Sequence, residues 1–472
     1  MGQTDRLAAP AGPPPVAPAV QRAALLMVGV SAFAQPLMLS SVTVALPAMA
    51  ADLALSAVSL SWIPLMFLLS SAATVLAFGR LADMYGRKRI FVWGSWGLVG
   101  SSLLLASAPN GAALIALRAL QGVSAAMLYA TQAAIIVSIC PPARRGRALG
   151  MIASVLYLGL TAGPLLGGWL VEHFGWRVAF VVNLPLTLCV LLLLVPRVKG
   201  EWAAAQRGHF DGLGAAIYAL GILCVITGAT ALQGRSGALM AGVGGLLLWQ
   251  FVRRQKGRAD PLFDVSLFLS NRVFALSSLA ALLMYTTTFS ILVLISLHLQ
   301  YLKGLQPSQA GLVMFAQPLV TALMSPLVGR LSDRVEPRLL ATAGVVVTAL
   351  GLVALGGIGR DTSLARITVC LAFTGLGFSL FASTNVNAIM SSIATGQQGS
   401  ASGAVATMRV LGQLCSMGLV AMAFSLTLGV AQITPETYLQ LERALSLSFR
   451  LAALLCVPCV FFSLARGRLR PR

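Results

Sequence analysis

Fourteen separate stretches of this chain each run for about twenty residues with almost no charge. An α-helix rises 1.5 Å per residue, so ~20 apolar residues cover the ~30 Å hydrocarbon core of a bilayer. The runs fall near 23–47, 59–79, 90–108, 113–139, 148–171 and 177–196, then 211–232 and 237–252, and finally 273–300, 308–329, 339–358, 366–392, 401–428 and 446–465. A closed barrel is the other legal way to span lipid, but its strands alternate apolar and polar residues, and these runs do not. The expected fold is therefore an all-α membrane protein with fourteen transmembrane helices.

Composition agrees. Hydrophobic residues make up 58% of the 472, charged residues 10%, and the mean hydropathy is +0.87. A soluble surface carries roughly 25–35% charged residues. A cytoplasmic enzyme, a disordered regulator and a secreted disulfide scaffold are all excluded. The net charge of +20 does not imply nucleic acid, because the basic residues sit in short loops between apolar runs. Anionic lipid headgroups are their expected partner. The four lysines, Lys88, Lys199, Lys256 and Lys303, never follow a glycine, so the chain has no phosphate-cradling loop and no ATPase domain of its own. Six of the seven cysteines lie within apolar runs. Cys456 and Cys459 have a C-x-x-C spacing but no βαβ context, and read as packing residues. No metal or cofactor is expected.

Basic residues also set the orientation. With the N-terminus inside, the inside loops hold 24 of the 33 Lys and Arg residues, giving an N-in, C-in topology. Residues 1–21, rich in Ala and Pro, read as a disordered cytosolic leader, and 466–472 as a basic cytosolic tail.

An internal repeat divides the rest. Gly79-Arg80-Leu81-Ala82-Asp83-Met84-Tyr85-Gly86-Arg87-Lys88-Arg89 follows the second run, and Gly329-Arg330-Leu331-Ser332-Asp333-Arg334 follows the tenth, 250 residues later. Two six-helix bundles are expected, 22–196 and 273–465, joined by a linker, 197–272, that carries inserted helices 7 and 8. Parallel six-helix halves are one transporter architecture, with the substrate site between them.

With these motifs in place, the chain resembles the major facilitator superfamily, in particular its fourteen-spanning drug:proton antiporter branch. The loop Gly79–Arg89 is similar to the superfamily's signature loop. Arg118-Ala119-Leu120-Gln121-Gly122 is similar to an element of span 4. Gly159 through Gly168 resembles the exporter motif of span 5, and Trp176-Arg177 with Asn183-Leu184-Pro185 the entry to span 6. The resemblance implies a fold of two six-helix bundles, multidrug efflux by alternating access, and a home in a prokaryotic cytoplasmic membrane.

Each motif also has a physical reading. In the first loop, Gly79 and Gly86 would permit a tight turn and close helix approach. Asp83, Arg87, Lys88 and their counterparts Gly329, Asp333 and Arg334 would form a conformational latch, or simply anchor the loops at headgroups. Glycines at 159, 163 and 167 share one face of span 5, Gly168 lies beside them, and Pro164 can bend the helix. The resemblance makes this face a hinge against a helix of the other half; ordinary close packing is the alternative.

Arg118 and Arg409 fall inside spans, where a charge costs ~2.5–3.5 kcal/mol even on lenient scales. Each must face a wet cavity, a ligand, or backbone carbonyls, and Gln121 lies at i+3 from Arg118. All thirteen Asp and Glu lie in loops or at span ends. Where the branch often carries an acid in span 1, this chain has Met38, and Thr43 stands in the place of the following Asn. A buried carboxylate for proton coupling and cation attraction is therefore missing. The remaining polar residues expected in a cavity are Gln35, Trp62, Tyr129, Gln132, Tyr157, Tyr285, Gln317, Asn385, Asn387 and Gln413. Aromatic and amide groups suit loosely specified amphipathic ligands.

The reading that follows is a monomeric secondary transporter, not an enzyme, exporting small amphipathic or hydrophobic compounds. The rivals are a facilitator or anion exporter using Arg118 and, from another class, a membrane sensor or membrane-embedded enzyme. A catalyst would need convergent His, Asp, Glu or Cys groups, and the sequence shows none.

Overall fold

The computed structural model describes residues 17–201, 209–231, 235–258, 260–332, 334–393 and 398–467. Long helices dominate it: α1 Pro18–Asp52, α2 Ala57–Tyr85, α3 Arg87–Ala106, α4 Gly111–Ile139, α5 Pro142–Phe174, α6 Val178–Arg197, α7 Gly212–Thr230, α8 Arg235–Gln255, α9 Arg272–Leu302, α10 Pro307–Ser332, α11 Pro337–Leu355, α12 Leu364–Ser391, α13 Gln398–Thr427 and α14 Tyr438–Ala465. Thirteen are long and apolar enough to cross a membrane; α8, with an Arg at its start and two near its end, falls short of that mark. The chain is a multi-pass membrane protein. Among the described residues no strand forms beyond one bridge, Ser56 to Gln432.

Helix starts follow capping chemistry. Ser56, Asn110, Asp211, Asn271 and Ser363 each accept a hydrogen bond from the first turn of α2, α4, α7, α9 and α12. Gly86 has φ +113°, and only its missing Cβ makes the tight α2–α3 turn cheap. Outward faces are apolar: Trp93, Trp96, Leu192, Leu350 and Phe461 are all exposed. In water that would be a liability, but lipid accepts it.

In the first half, α1 packs on α5 and α4 on both α2 and α3. In the second half, α9 packs on α13 and α14, and α12 on α10 and α11. The halves meet along α2–α13, α5–α10 and α4–α13. Helices α7 and α8 pair with each other, and α7 lies over the α2–α13 seam. The base of this hairpin is held by Asp211, which accepts from Arg254 at 3.0 Å and from Gln255 at 3.0 Å, and pairs with Arg258 at 2.8 Å. Burial alone would raise the Asp211 carboxyl; the Arg254 and Gln255 side chains and the Gly214 N–H outweigh it and hold it down at about 2. Arg80, at the end of α2, reaches the same linker through Asp260 at 2.7 Å.

The glycine face of α5 meets a different neighbour from the one expected. Gly159, Gly163 and Gly167 lie on α1 of their own half, where added Cβ atoms would strike the Phe33 carbonyl, Ser40 and Ser41. The second half is met instead by Gly168, against Pro307 and Ser308, and by the Pro164 carbonyl, against Gly311. Spacing fixed the shared face, but it carried no information on which helix would cover it. A Cβ on Gly79 or Gly329 would meet nothing within 4 Å, so close approach is not the reason for either glycine.

Candidate functional site

A cavity of about 110 Å³, half open to its surroundings, lies between the halves. Two helices, one from each half, line it with one spacing. Pro36, Leu39, Ser40 and Thr43 on α1, and Tyr285, Thr288, Phe289 and Leu292 on α9, follow i, i+3, i+4, i+7, one helix face each. The two sets stand 249 residues apart in sequence. The same interval relates Tyr129 on α4 to Phe378 on α12, and Leu160 on α5 to Arg409 on α13, all cavity residues. The cavity is thus the meeting of two equivalent faces of a repeat, altered residue by residue.

Its rings cross the seam. Phe378 packs edge-on against Tyr157 of the first half (centroids 6.1 Å) and Tyr285 of the second (5.6 Å). The Arg409 guanidinium sits over the Tyr129 ring, 5.7 Å from its centroid. Among the described residues no carboxylate pairs with Arg409, and no cavity residue is acidic. Gln317 is 8% exposed and its Oε1 has no partner.

Hydrogen bonds pin the halves together on the face opposite the basic loops. Ser296 Oγ donates to the Thr43 carbonyl (2.9 Å), Gln300 Nε2 to that of Val44 (3.0 Å), and Gln432 Nε2 to that of Ala54 (3.0 Å). The Ser308 N–H donates to Glu172 (3.1 Å) and the Ala57 N–H to the Ala431 carbonyl (2.9 Å).

Of the polar residues expected in a cavity, Tyr129, Tyr157, Tyr285, Gln317, Gln413 and Arg409 line it. The others are committed elsewhere. Gln132 donates to Ser31 and Gln35, tying α4 to α1. Trp62 packs half-buried against the core. Asn385 donates to the Ser277 carbonyl and Asn387 to Ser332. Arg118 is fully buried and does not reach the cavity. Its Nε donates to the Ile63 carbonyl at 3.1 Å, its Nη1 to Gln121, and it lies 4.4 Å over the Phe67 ring. Gln121 Nε2 in turn reaches Ser102 at 3.1 Å and the Met38 sulfur at 3.2 Å. Of the partners open to Arg118, the structure shows a carbonyl, the Gln121 amide and the Phe67 ring rather than the cavity, and its Nη2 finds no partner among the described residues.

At the signature loop, Asp83 pairs with Arg87 at 2.8 Å, and Arg87 Nη1 donates to the Ala134 carbonyl at 3.1 Å and to Ser138, all within the first half. Glu201 from the linker accepts from the N–H groups of Lys88 and Arg89. Asp333 lies outside the described residues, and Arg334 is exposed.

Sequence reasoning did not single out Phe378, Phe289 and Thr288; the 249-residue interval from Tyr129 was the signal for Phe378. It also placed Arg466 in a solvated tail. That residue is 2% exposed, donating to Asn385 Oδ1 (2.9 Å) and the Pro337 carbonyl (2.8 Å). Burial pushes its guanidinium down to about 10, still protonated at neutral pH.

Residues 28–417 match the family described as Major Facilitator Superfamily. The chain belongs to that superfamily. Its curated relatives include the riboflavin transporter RibZ of Clostridioides difficile, 28% identical and covering 82% of this chain and 84% of that one. The multidrug efflux pump LfrA of Mycolicibacterium smegmatis is 32% identical, with 80% and 77% covered. The methyl viologen resistance protein SmvA of Salmonella typhimurium is also 32% identical, with 77% and 74% covered. Among solved structures, a peptide transporter, POT, superposes with TM-score 0.66 at 13% identity, covering 93% of each chain. The human organic anion transporter MFSD10 gives 0.60 at 17%, covering 94% and 98%. These two establish the fold alone. Together the matches make this chain a major facilitator transporter similar to multidrug efflux pumps.

Proposed function

We propose that this transporter exports small amphipathic or hydrophobic compounds across a prokaryotic cytoplasmic membrane by alternating access. The basic face is cytoplasmic and meets anionic headgroups, both chain ends lie on that side, α8 is the fourteenth span, and the unit is a monomer. The observation that carries this reading is the central cavity, contributed by both halves, lined by rings and amides, and pinned shut on one face. Such a cavity suits ligands recognised by shape and stacking rather than by many fixed bonds. Rocking the halves would break the ties at Thr43, Val44, Ala54 and Glu172 and expose it to the other side. The loop Gly79–Arg89 is the latch of the opposite state, with Asp83 resting on Arg87 here.

A second reading, uptake or exchange of a metabolite without proton antiport, is favoured by one feature: thirteen carboxylates, none mid-membrane. Both readings are tested by the same reconstitution. Purified protein in liposomes, with an imposed pH gradient and a panel of cationic, neutral and anionic amphipathic compounds, should move several of them. Gradient-dependent transport would support antiport; gradient-independent flux would favour exchange; no flux of any compound would sink the efflux reading.

A further inference from the structure

Resting on the reading of the central cavity as the ligand site, we propose that it binds a flat aromatic molecule carrying one acidic group. The acid meets Arg409, the ring system lies among Tyr157, Tyr285 and Phe378, and a polar edge meets Gln317.

Arg409 brings a planar guanidinium cation to the cavity. It is half-buried in the cavity wall, and the Tyr129 ring face is the partner it has there. A ring face stabilises a cation less than a charge-assisted bond to an acid does. The cavity holds no carboxylate to offset it. A positive site of this kind in a low-dielectric wall attracts anions and repels lipophilic cations. The planar fork of an arginine also matches a carboxylate in two parallel bonds.

Shape comes from the rings. Phe378 meets Tyr157 and Tyr285 edge-on, with interplanar angles of 79° and 72°. An edge-on pair covers one face of one ring, so a flat guest could stack on the face left opposite. The rings come from both halves, so a bound guest touches both. Gln317 supplies the remaining point: its side-chain oxygen is buried without a partner among the described residues, a cost that a ligand N–H or O–H would relieve. Because the two ends of the amide are interchangeable, a ligand acceptor could be served equally well.

The test compares two flat three-ring dyes of opposite charge, resorufin (an anion) and pyronin Y (a cation), on purified full-length protein in liposomes. Binding is read by dye anisotropy and transport by flux. The wild type should bind resorufin roughly tenfold more tightly than pyronin Y, about 1.4 kcal/mol. Arg409→Gln should erase that ratio while still binding dye, Arg409→Lys should keep its direction, and Arg409→Glu should reverse it. Phe378→Ala should weaken both dyes alike. Preference for pyronin Y in the wild type, or an unchanged ratio in Arg409→Gln, would overturn this inference and leave the efflux reading standing. If neither dye binds or moves, and the wider panel does not move either, both fall.

Discussion

The two halves descend from one pattern yet spend their polar residues differently. In the first half, Arg118, Gln121, Ser102, Gln35 and Gln132 are buried and bonded to one another or to carbonyls, holding α1, α2, α3 and α4 together. In the second half, the position 249 residues after Arg118 is Ile367, buried and apolar. There the charge has moved to Arg409 on the cavity wall, whose counterpart in the first half is Leu160. One half places a cation inside its own scaffold, the other offers one to a guest. The lesson is that a charge within a span does not announce its purpose: the neighbours decide, and they come from distant sequence.

That contrast can be broken most sharply at Arg118. Arg118→Ala takes the donor from Gln121 Oε1 and from the Ile63 carbonyl and opens a void beside Phe67. The expected loss is about 3 kcal/mol or more, read as a large fall in thermal stability in detergent. Arg409→Ala should leave stability nearly unchanged and alter ligand preference. Equal effects at the two sites would erase the distinction between the halves.

The glycines make a second contrast. Gly163→Val would drive a side chain into Ser40 and the Leu37 carbonyl across α1–α5, an overpacking cost of about 1–3 kcal/mol. Gly79→Ala, with open space around its Cβ, should be neutral or slightly stabilising, by up to ~1 kcal/mol, since alanine favours helix. Expression yield and melting temperature of the two variants check both.

Met38→Asp probes the missing acid. A carboxylate there would lie near Gln121, whose other amide end accepts from Arg118, and should be tolerated where Val42→Asp, on a buried position of the same helix without that network, is not. A smaller effect is expected at the inserted hairpin. The Asp211 carboxyl is depressed to about 2 in the folded protein, against an ordinary value of 3.8. Its contribution is therefore complete above pH ~4 and lost as pH falls through about 2. Asp211→Asn should remove it at every pH, lowering the melting temperature at pH 7 by a few degrees and flattening the acid limb of a stability–pH curve.

Much of the architecture was legible because it depends on local periodicity. Apolar runs give helices, and a repeated loop gives two halves. The identity of the α5 neighbour was not, since a glycine face is satisfied equally by α1 or by α10. Nor was the place of Arg118, whose carbonyl partner lies 55 residues away on α2. Arg466 looked like one more charge in a basic tail; its partners Asn385, Ser277 and Pro337 converge only when α9, α11 and α12 are assembled. For the cavity, the tyrosines and amides were found by type, but Phe378 was hidden among twenty phenylalanines that read as lipid-facing or core.

The inserted hairpin carries a consequence for motion. Its base is tied to the end of α2 through Arg80 and Asp260, whereas α7 meets α13 through side-chain packing, such as Ile226 beside Gly418. With an ion pair toward α2 and packing toward α13, the hairpin would act as an outrigger of the first half. If the halves rock as proposed, α7 would ride with α2, and the slip would fall at the α7–α13 surface. Spin labels on α7 and α2 should then keep their separation through a transport cycle, and labels on α7 and α13 should not. The first half would carry a broader keel through the lipid than the second, so the bilayer would resist the two halves unequally.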